Sequence, residues 1–230
     1  MRRLPVLLLP CLLAMPAAAQ GPIDFTRLRP ARDSFVVMLQ GKPAGYELIT
    51  LEKTDAGFLV VDHTNLMPRM QQVTEIVIGA NGEMTSVKQR GEVSGLEMMI
   101  DVAYAGGKAT GSATTPSAGG GTETRAVAGD VPAYVVDDNV LLPLLPGIAW
   151  RPGLAVTVPV FASGRSELIN VTLRVVGTEK LQVPAGMFDA YKVAVEGMKQ
   201  PMTLYVNTGL PHRVLKAAPQ GAPIEFVAAR

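Results

Sequence analysis

Apolar and polar residues alternate with a period of two along most of the chain beyond residue 30. Met202, Leu204 and Val206, for example, alternate with more polar neighbours. Such alternation is typical of half-buried β-strands. The predicted strands include Phe35–Leu39, Tyr46–Lys53, Phe58–Thr64, Val73–Ile78, Met84–Glu92, Met98–Tyr104, Leu154–Phe161, Arg213–Ala217 and Ile224–Ala228.

Turn signals separate these strands, and the clearest is Asn81-Gly82, which favours a tight hairpin. Their spacing of roughly eight to twelve residues indicates antiparallel strands rather than βαβ units. We therefore predict an all-β, mainly antiparallel fold. It is either a curved half-barrel or a two-sheet sandwich, with at most one short helix.

Two segments depart from the strand pattern. Residues 105–121 are rich in Gly, Ser and Thr, and we expect a flexible loop or a splayed hairpin end there. Asp137-Asp138-Asn139 precedes an apolar stretch and predicts a helix cap, while Pro143 and Pro146 limit the helix to a turn or two. We expect residues 20–230 to form a single domain.

The first nineteen residues have the pattern of a secretory signal peptide. Arg2 and Arg3 precede the apolar residues 4–15, and Ala17-Ala18-Ala19 offers a cleavage site. Cys11 lies inside the apolar run after Pro10, which does not fit a lipid-attachment motif. We predict cleavage near Ala19, export to the periplasm or the medium, and no transmembrane anchor in the mature chain.

Cleavage there would remove Cys11, the only cysteine, so the mature chain would form no disulfide, cysteine nucleophile or zinc–thiolate site. Loss of Arg2 and Arg3 leaves 19 of the 21 basic residues against 20 acidic ones, a net charge of −1. Nucleic-acid binding relies on clustered positive charge. We therefore expect no nucleic-acid partner.

The sequence offers little catalytic chemistry. We expect His63 to be a half-buried strand residue and His212 to be a surface residue without a special role. Asp137-Asp138-Asn139 lacks the spacing of a calcium-binding loop, and no serine lies in a Gly-x-Ser-x-Gly motif. We predict no catalytic, cofactor-binding or metal-ligating residues.

The stretch Leu181–Gly197 reads as strand, tight turn, strand. Pro184 suits the first central position of a β-turn, and Gly186 can take a positive φ. We interpret Pro184 and Gly186 as a structural turn.

The same stretch carries a family resemblance. The run from Val183 to Val193, with the later Tyr205-Val206-Asn207 and Pro211–Lys216, resembles the exported bacterial family called domain of unknown function 3108. The resemblance lies mainly over residues 140–230. It implies a secreted β-rich domain and transfers no activity or site residue.

For function, we expect a non-catalytic binding module for an apolar, lipid-like ligand or for an envelope protein. If a curved sheet leaves an apolar concavity, the short helix and Trp150 would cover it, with Leu141 and Leu144 as lid residues. The alternatives are a periplasmic hydrolase with a non-standard site and a purely structural β-sandwich.

Overall fold

The computed structural model describes residues 21–66 and 68–229. The predicted signal peptide lies outside the described residues. The strands are β1 Ala31–Leu39, β2 Lys42–Thr54, β3 Gly57–Leu66, β4 Met70–Gly79, β5 Met84–Val93, β6 Leu96–Ala105, β7 Lys108–Pro116, β8 Thr122–Asp130, β9 Val136–Asp137, β10 Ala155–Ala162, β11 Glu167–Val183, β12 Gly186–Glu196, β13 Met202–Asn207, β14 Val214–Pro219 and β15 Ile224–Ala228.

Helical structure among the described residues is short. The α-helix α1 spans Leu141–Leu144, and 3₁₀ turns span Phe25–Arg27 and Leu145–Gly147. No helix of the described residues has the length and apolar character needed to cross a membrane. The prediction of an all-β protein with at most one short α-helix is confirmed.

All fifteen strands of the described residues belong to one sheet. From the β8 edge the strands follow in reverse chain order to β1, which pairs with β15, and the order then runs back to β9. Neighbours are antiparallel, except that β9 and β10 are parallel. Because one cluster of buried residues draws on strands from β1 to β15, the sheet curves around a single core. Of the two predicted architectures, this is the curved one.

The two edges of the sheet approach each other without pairing as strands. Ser166, in the turn between β10 and β11, accepts a hydrogen bond from Ala128 N at 3.0 Å and donates to Ala128 O at 3.1 Å. The rings of Tyr104 on β6 and Phe161 on β10 meet edge to face, with centroids 6.1 Å apart. The hydrogen bonds of Ser166 and the contact between the Tyr104 and Phe161 rings therefore connect the two ends of the sheet across the gap between them, which we call the seam.

Residues 105–121, where we expected a flexible loop or a splayed hairpin end, contain the hairpin turn after β6 and the strand β7. Gly106 and Gly107 form a two-residue turn, and β7 pairs along its length with both β6 and β8. The inward residues Ala109 and Ala113 are fully buried. The small side chains of β7 allow the core to pack closely against this strand. They also give the segment the Gly-, Ser- and Thr-rich composition of a linker, which is why the sequence suggested a loop.

Candidate functional site

The segment between β9 and β10, residues 138–154, lies against the concave face of the sheet, and we call it the insert. It holds α1, the second 3₁₀ turn and Trp150. Leu144 and Leu145 are fully buried, and Ile148 is nearly so. The insert therefore supplies part of the core.

The three predicted lid residues come together in the insert, but they are core residues. Leu141, Leu144 and Trp150 are 3%, 0% and 5% exposed. The indole of Trp150 donates a hydrogen bond to Leu145 O at 2.9 Å, which closes the insert on itself. All three side chains are packed into the hydrophobic core, and displacing the insert would expose them.

The expected capping role of Asp137-Asp138-Asn139 is wrong. The residue at the helix N-cap is Val140, and no side chain caps the helix there. Asp137 instead accepts hydrogen bonds from Tyr104 Oη at 2.5 Å and from Asn139 N at 2.9 Å. The Asp137 carboxylate therefore binds the Tyr104 hydroxyl and the Asn139 amide rather than the helix terminus.

These contacts form a buried polar network that ties the insert to the sheet. The Asn139 side chain donates to Asp137 Oδ1 at 2.7 Å and to Ser163 Oγ at 3.2 Å. Asp137 and Ser163 are both fully buried. Asn139 thus lies between a serine and an aspartate, where a catalytic triad has a histidine. Its side-chain amide cannot take up a proton as that histidine does. The network therefore has the chemistry of a structural clasp.

The clasp also shifts the ionisation of its neighbours. Burial, followed by the charge of Asp137, raises the pKa of Tyr104 and keeps its hydroxyl protonated as a donor. Burial, again with Asp137 next in effect, raises the pKa of Asp138 to about 7, while Arg165 opposes the shift. Asp138 therefore titrates near neutral pH.

A second polar group lies on the inner face of β2 and β3. Glu47 is 7% exposed and lies opposite Thr64, and Asp62 lies on the same neighbouring strand two residue pairs further along. Burial, then the charge of Asp62, raises the pKa of Glu47 well above its usual range. Burial also raises the pKa of Asp62 to about 6, opposed by hydrogen bonds from Thr64 and Glu47.

The two carboxyl groups are suited to share a proton. Oε2 of Glu47 is buried without a hydrogen-bond partner, and a protonated Glu47 can donate to Asp62. The polar face continues across the sheet, because Thr74 lies opposite Asp62 and Gln89 lies opposite Thr74. Gln89 Nε2 donates to Gln72 Oε1 at 2.8 Å, while Gln89 Oε1 is buried without a partner.

Sequence reasoning missed this pair and misplaced the histidines. Phe58, Leu59, Val60 and Val61 make both faces of β3 apolar, so the inward face was not evident. The face that carries Asp62 points inward, and His63 is exposed rather than half-buried.

His212 is buried rather than at the surface, at 6% exposed. Its Nδ1 lies 3.0 Å from Asn207 O. His212 is a polar residue in the segment before β14, outside any alternating pattern, so the sequence does not indicate its burial.

A small cavity of about 90 Å³ lies where the insert meets β1 and β2. Leu28, Ile49 and Leu51 contribute apolar walls, and Pro143 and Pro146 of the insert line one side. The other lining residues include three arginines, one aspartate and one histidine: Arg27, Arg29, Arg213, Asp33 and His212. The cavity therefore combines apolar walls with a predominantly basic rim.

The remaining predicted residues lie elsewhere. Pro184 and Ala185 form the two-residue turn between β11 and β12, and Gly186 has a φ of +135°. Within residues 21–66 and 68–229, no three His, Cys, Asp or Glu side chains are arranged to hold a metal ion.

The fold and the site define a class: an all-β protein with a large, mostly antiparallel, open sheet curved around an inserted segment. The chain belongs to the family described as protein of unknown function (DUF3108), whose model matches residues 34–225. This confirms the resemblance noted in the sequence and extends it over most of the chain.

Two solved structures are similar to this chain, and the first shows the same kind of fold. A β-barrel-like protein of domain of unknown function DUF1849 from Brucella abortus is 12% identical, with 90% of this chain and 96% of that chain covered and a TM-score of 0.50. A candidate exported protein with a YmcC-like fold from Bacteroides fragilis is 11% identical over 86% of this chain and 93% of that chain, with a TM-score of 0.27. No curated protein matches the chain.

Proposed function

We propose that this protein is an exported, non-catalytic binding module that holds an apolar, lipid-like ligand on the concave face of its sheet. The observation that carries the proposal is the way this face is covered. An insert with one four-residue helix contributes Leu144, Leu145 and Ile148 to the largest fully buried side chains. Displacing that one segment would uncover apolar surface without breaking the strand ladders of β1 to β8.

The way in which the insert is held supports this proposal. Its attachment to the sheet includes the two-residue strand β9 and the clasp through Asp137. Two proline residues, Pro143 and Pro146, restrict helical hydrogen bonding within it. Segments with few regular backbone hydrogen bonds open at lower free energy than the strands of a sheet.

Export is the second part of the proposal. The basic start, the apolar run and Ala17-Ala18-Ala19 support cleavage near Ala19 and residence in the periplasm or outside the cell. A mature chain without cysteine needs no disulfide chemistry in that compartment. An envelope protein seated on the same face is the competing occupant.

Fluorescence of Trp150 tests ligand binding, because it is the only tryptophan and lies in the insert. Titration with fatty acids and phospholipids should move its emission saturably as the insert shifts. The Trp150→Phe variant removes the signal, and calorimetry on it should still record the binding heat. Flat emission and no binding heat across these lipid classes would refute the proposal.

A further inference from the structure

The small cavity beside the insert has the chemistry of an anion site. Its volume is about 90 Å³. A carboxylate group fits that space, whereas a pocket that encloses a whole drug-sized ligand measures about 300–1,000 Å³. Any longer ligand must therefore continue from the cavity along apolar surface.

The arginines of the rim differ in how far their charge is neutralised. Arg27 Nε lies 3.1 Å from Asp24 Oδ2, and Arg213 forms an ion pair with Asp33. Arg29 instead donates through Nη1 to two carbonyl oxygens, Thr26 O at 2.6 Å and Leu28 O at 2.9 Å. Among the described residues no carboxylate lies within ion-pair distance of Arg29, so its charge is available to an anion.

Two apolar walls of the cavity belong to the core of the protein. Leu28 and Leu51 are 3% and 4% exposed and belong to the main hydrophobic cluster. Pro143 and Pro146 bring the insert to the same cavity. An anionic group beside Arg29 would thus leave an attached chain pointing at the boundary between insert and sheet.

A larger recess nearby has the opposite charge. It measures about 650 Å³ and is lined by Phe25 and Tyr134 together with the carboxylates Asp24 and Glu83. Asp24 is paired with Arg27, but among the described residues no cation lies within ion-pair distance of Glu83, so Glu83 would repel an anionic headgroup. Charge complementarity therefore favours the smaller cavity, despite its size.

We propose that the small cavity binds the carboxylate headgroup of a single-chain amphiphile, with Arg29 as the residue that recognises the anion. This assignment rests on the proposed function, because the alkyl chain of the ligand would occupy the face of the sheet that the insert covers. Arg29 supplies a charge-assisted hydrogen bond, and Arg213 with His212 adds to the polar rim. The ligand class is thus a fatty-acid-like carboxylate.

Calorimetry with decanoate, decanol and acetate tests the assignment on the full mature chain. Decanoate should bind about tenfold more tightly than decanol, the ratio expected for one charge-assisted hydrogen bond. Acetate should bind far more weakly than decanoate, because it lacks the chain. In Arg29→Gln the preference for decanoate should disappear while decanol binding stays unchanged.

Arg32→Gln is the matched control, because Arg32 is also exposed but does not line the cavity. It should retain the preference, and equal melting temperatures should show that both variants fold. Equal affinity for decanoate and decanol in the unmodified protein would overturn the headgroup assignment and leave the proposed function standing. Acetate binding as tight as decanoate would also overturn it, since the site would then take free anions. Binding of neither decanoate nor decanol would contradict the proposed function itself.

Discussion

Replacing Asp62 by asparagine should stabilise the protein at neutral and alkaline pH. Asp62 lies on the inner face of β3 beside Glu47, and burial raises its pKa from 3.8 to about 6. Asparagine keeps the shape and can still accept a hydrogen bond from Thr64, which now lies 3.3 Å away. The substitution removes a group that resists ionisation in the folded state.

The size of this stabilisation follows from the difference between the pKa of Asp62 in the folded and the unfolded protein. In the wild type, the folded state holds the Asp62 proton up to about pH 6, whereas the unfolded chain releases it near pH 4. The contribution of the Asp62 carboxyl to stability is therefore fully present below about pH 4 and is lost as the pH rises through about 6. A difference of about two pKa units at 1.36 kcal/mol each gives a loss of about 3 kcal/mol.

Urea unfolding of wild type and Asp62→Asn from about pH 4 to pH 8 measures this loss. The two proteins should be similar at the acidic end, and the variant should be more stable by about 3 kcal/mol at the alkaline end. Asp101→Asn on the exposed face of β6 serves as the control and should run parallel to wild type. Parallel curves for wild type and Asp62→Asn would show that the carboxyl pair is not held protonated.

Three further predictions test separate parts of the structure. Leu144→Ala should lower the free energy of unfolding by about 2–5 kcal/mol, because Leu144 is fully buried. Leu142→Ala, at a half-buried position, should lower it by less. Equal losses in denaturant unfolding would contradict the packing of the insert. Gly186→Val should cost about 1–3 kcal/mol because φ is +135°, while Gly177→Ala, with open space around it, should cost less in the same assay. Intact mass of the exported product should correspond to cleavage after Ala19, and a product that retains the first nineteen residues would refute the signal-peptide prediction.

Much of the fold follows from the alternation of residue types. Strands with one apolar face, such as β13 with Leu204 and Val206 inward, are evident because polar residues mark the other face. β7 was missed because Ala109 and Ala113 bury their small side chains among Gly, Ser and Thr. Its burial depends on the close approach of other strands, which local composition does not record.

The site was predictable only in part. Leu141, Leu144 and Trp150 do lie together, since a short apolar helix must pack on the sheet that precedes and follows it. The small cavity joins residues from three distant parts of the chain, such as Arg29, Pro146 and His212. Such a juxtaposition follows from the curvature of the whole sheet and from the pairing of β1 with β15, neither of which a single strand pattern contains.

Mass spectrometry of organic extracts tests ligand binding most directly. The protein would be purified without detergent from the envelope fraction of the cell that makes it, beside a sample unfolded, extracted and refolded as the control. We predict an apolar, carboxylate-bearing lipid in stoichiometric amount in the native sample, and its loss from the refolded one. Extracts that contain no lipid above the control, from protein that is folded and exported, would contradict the account.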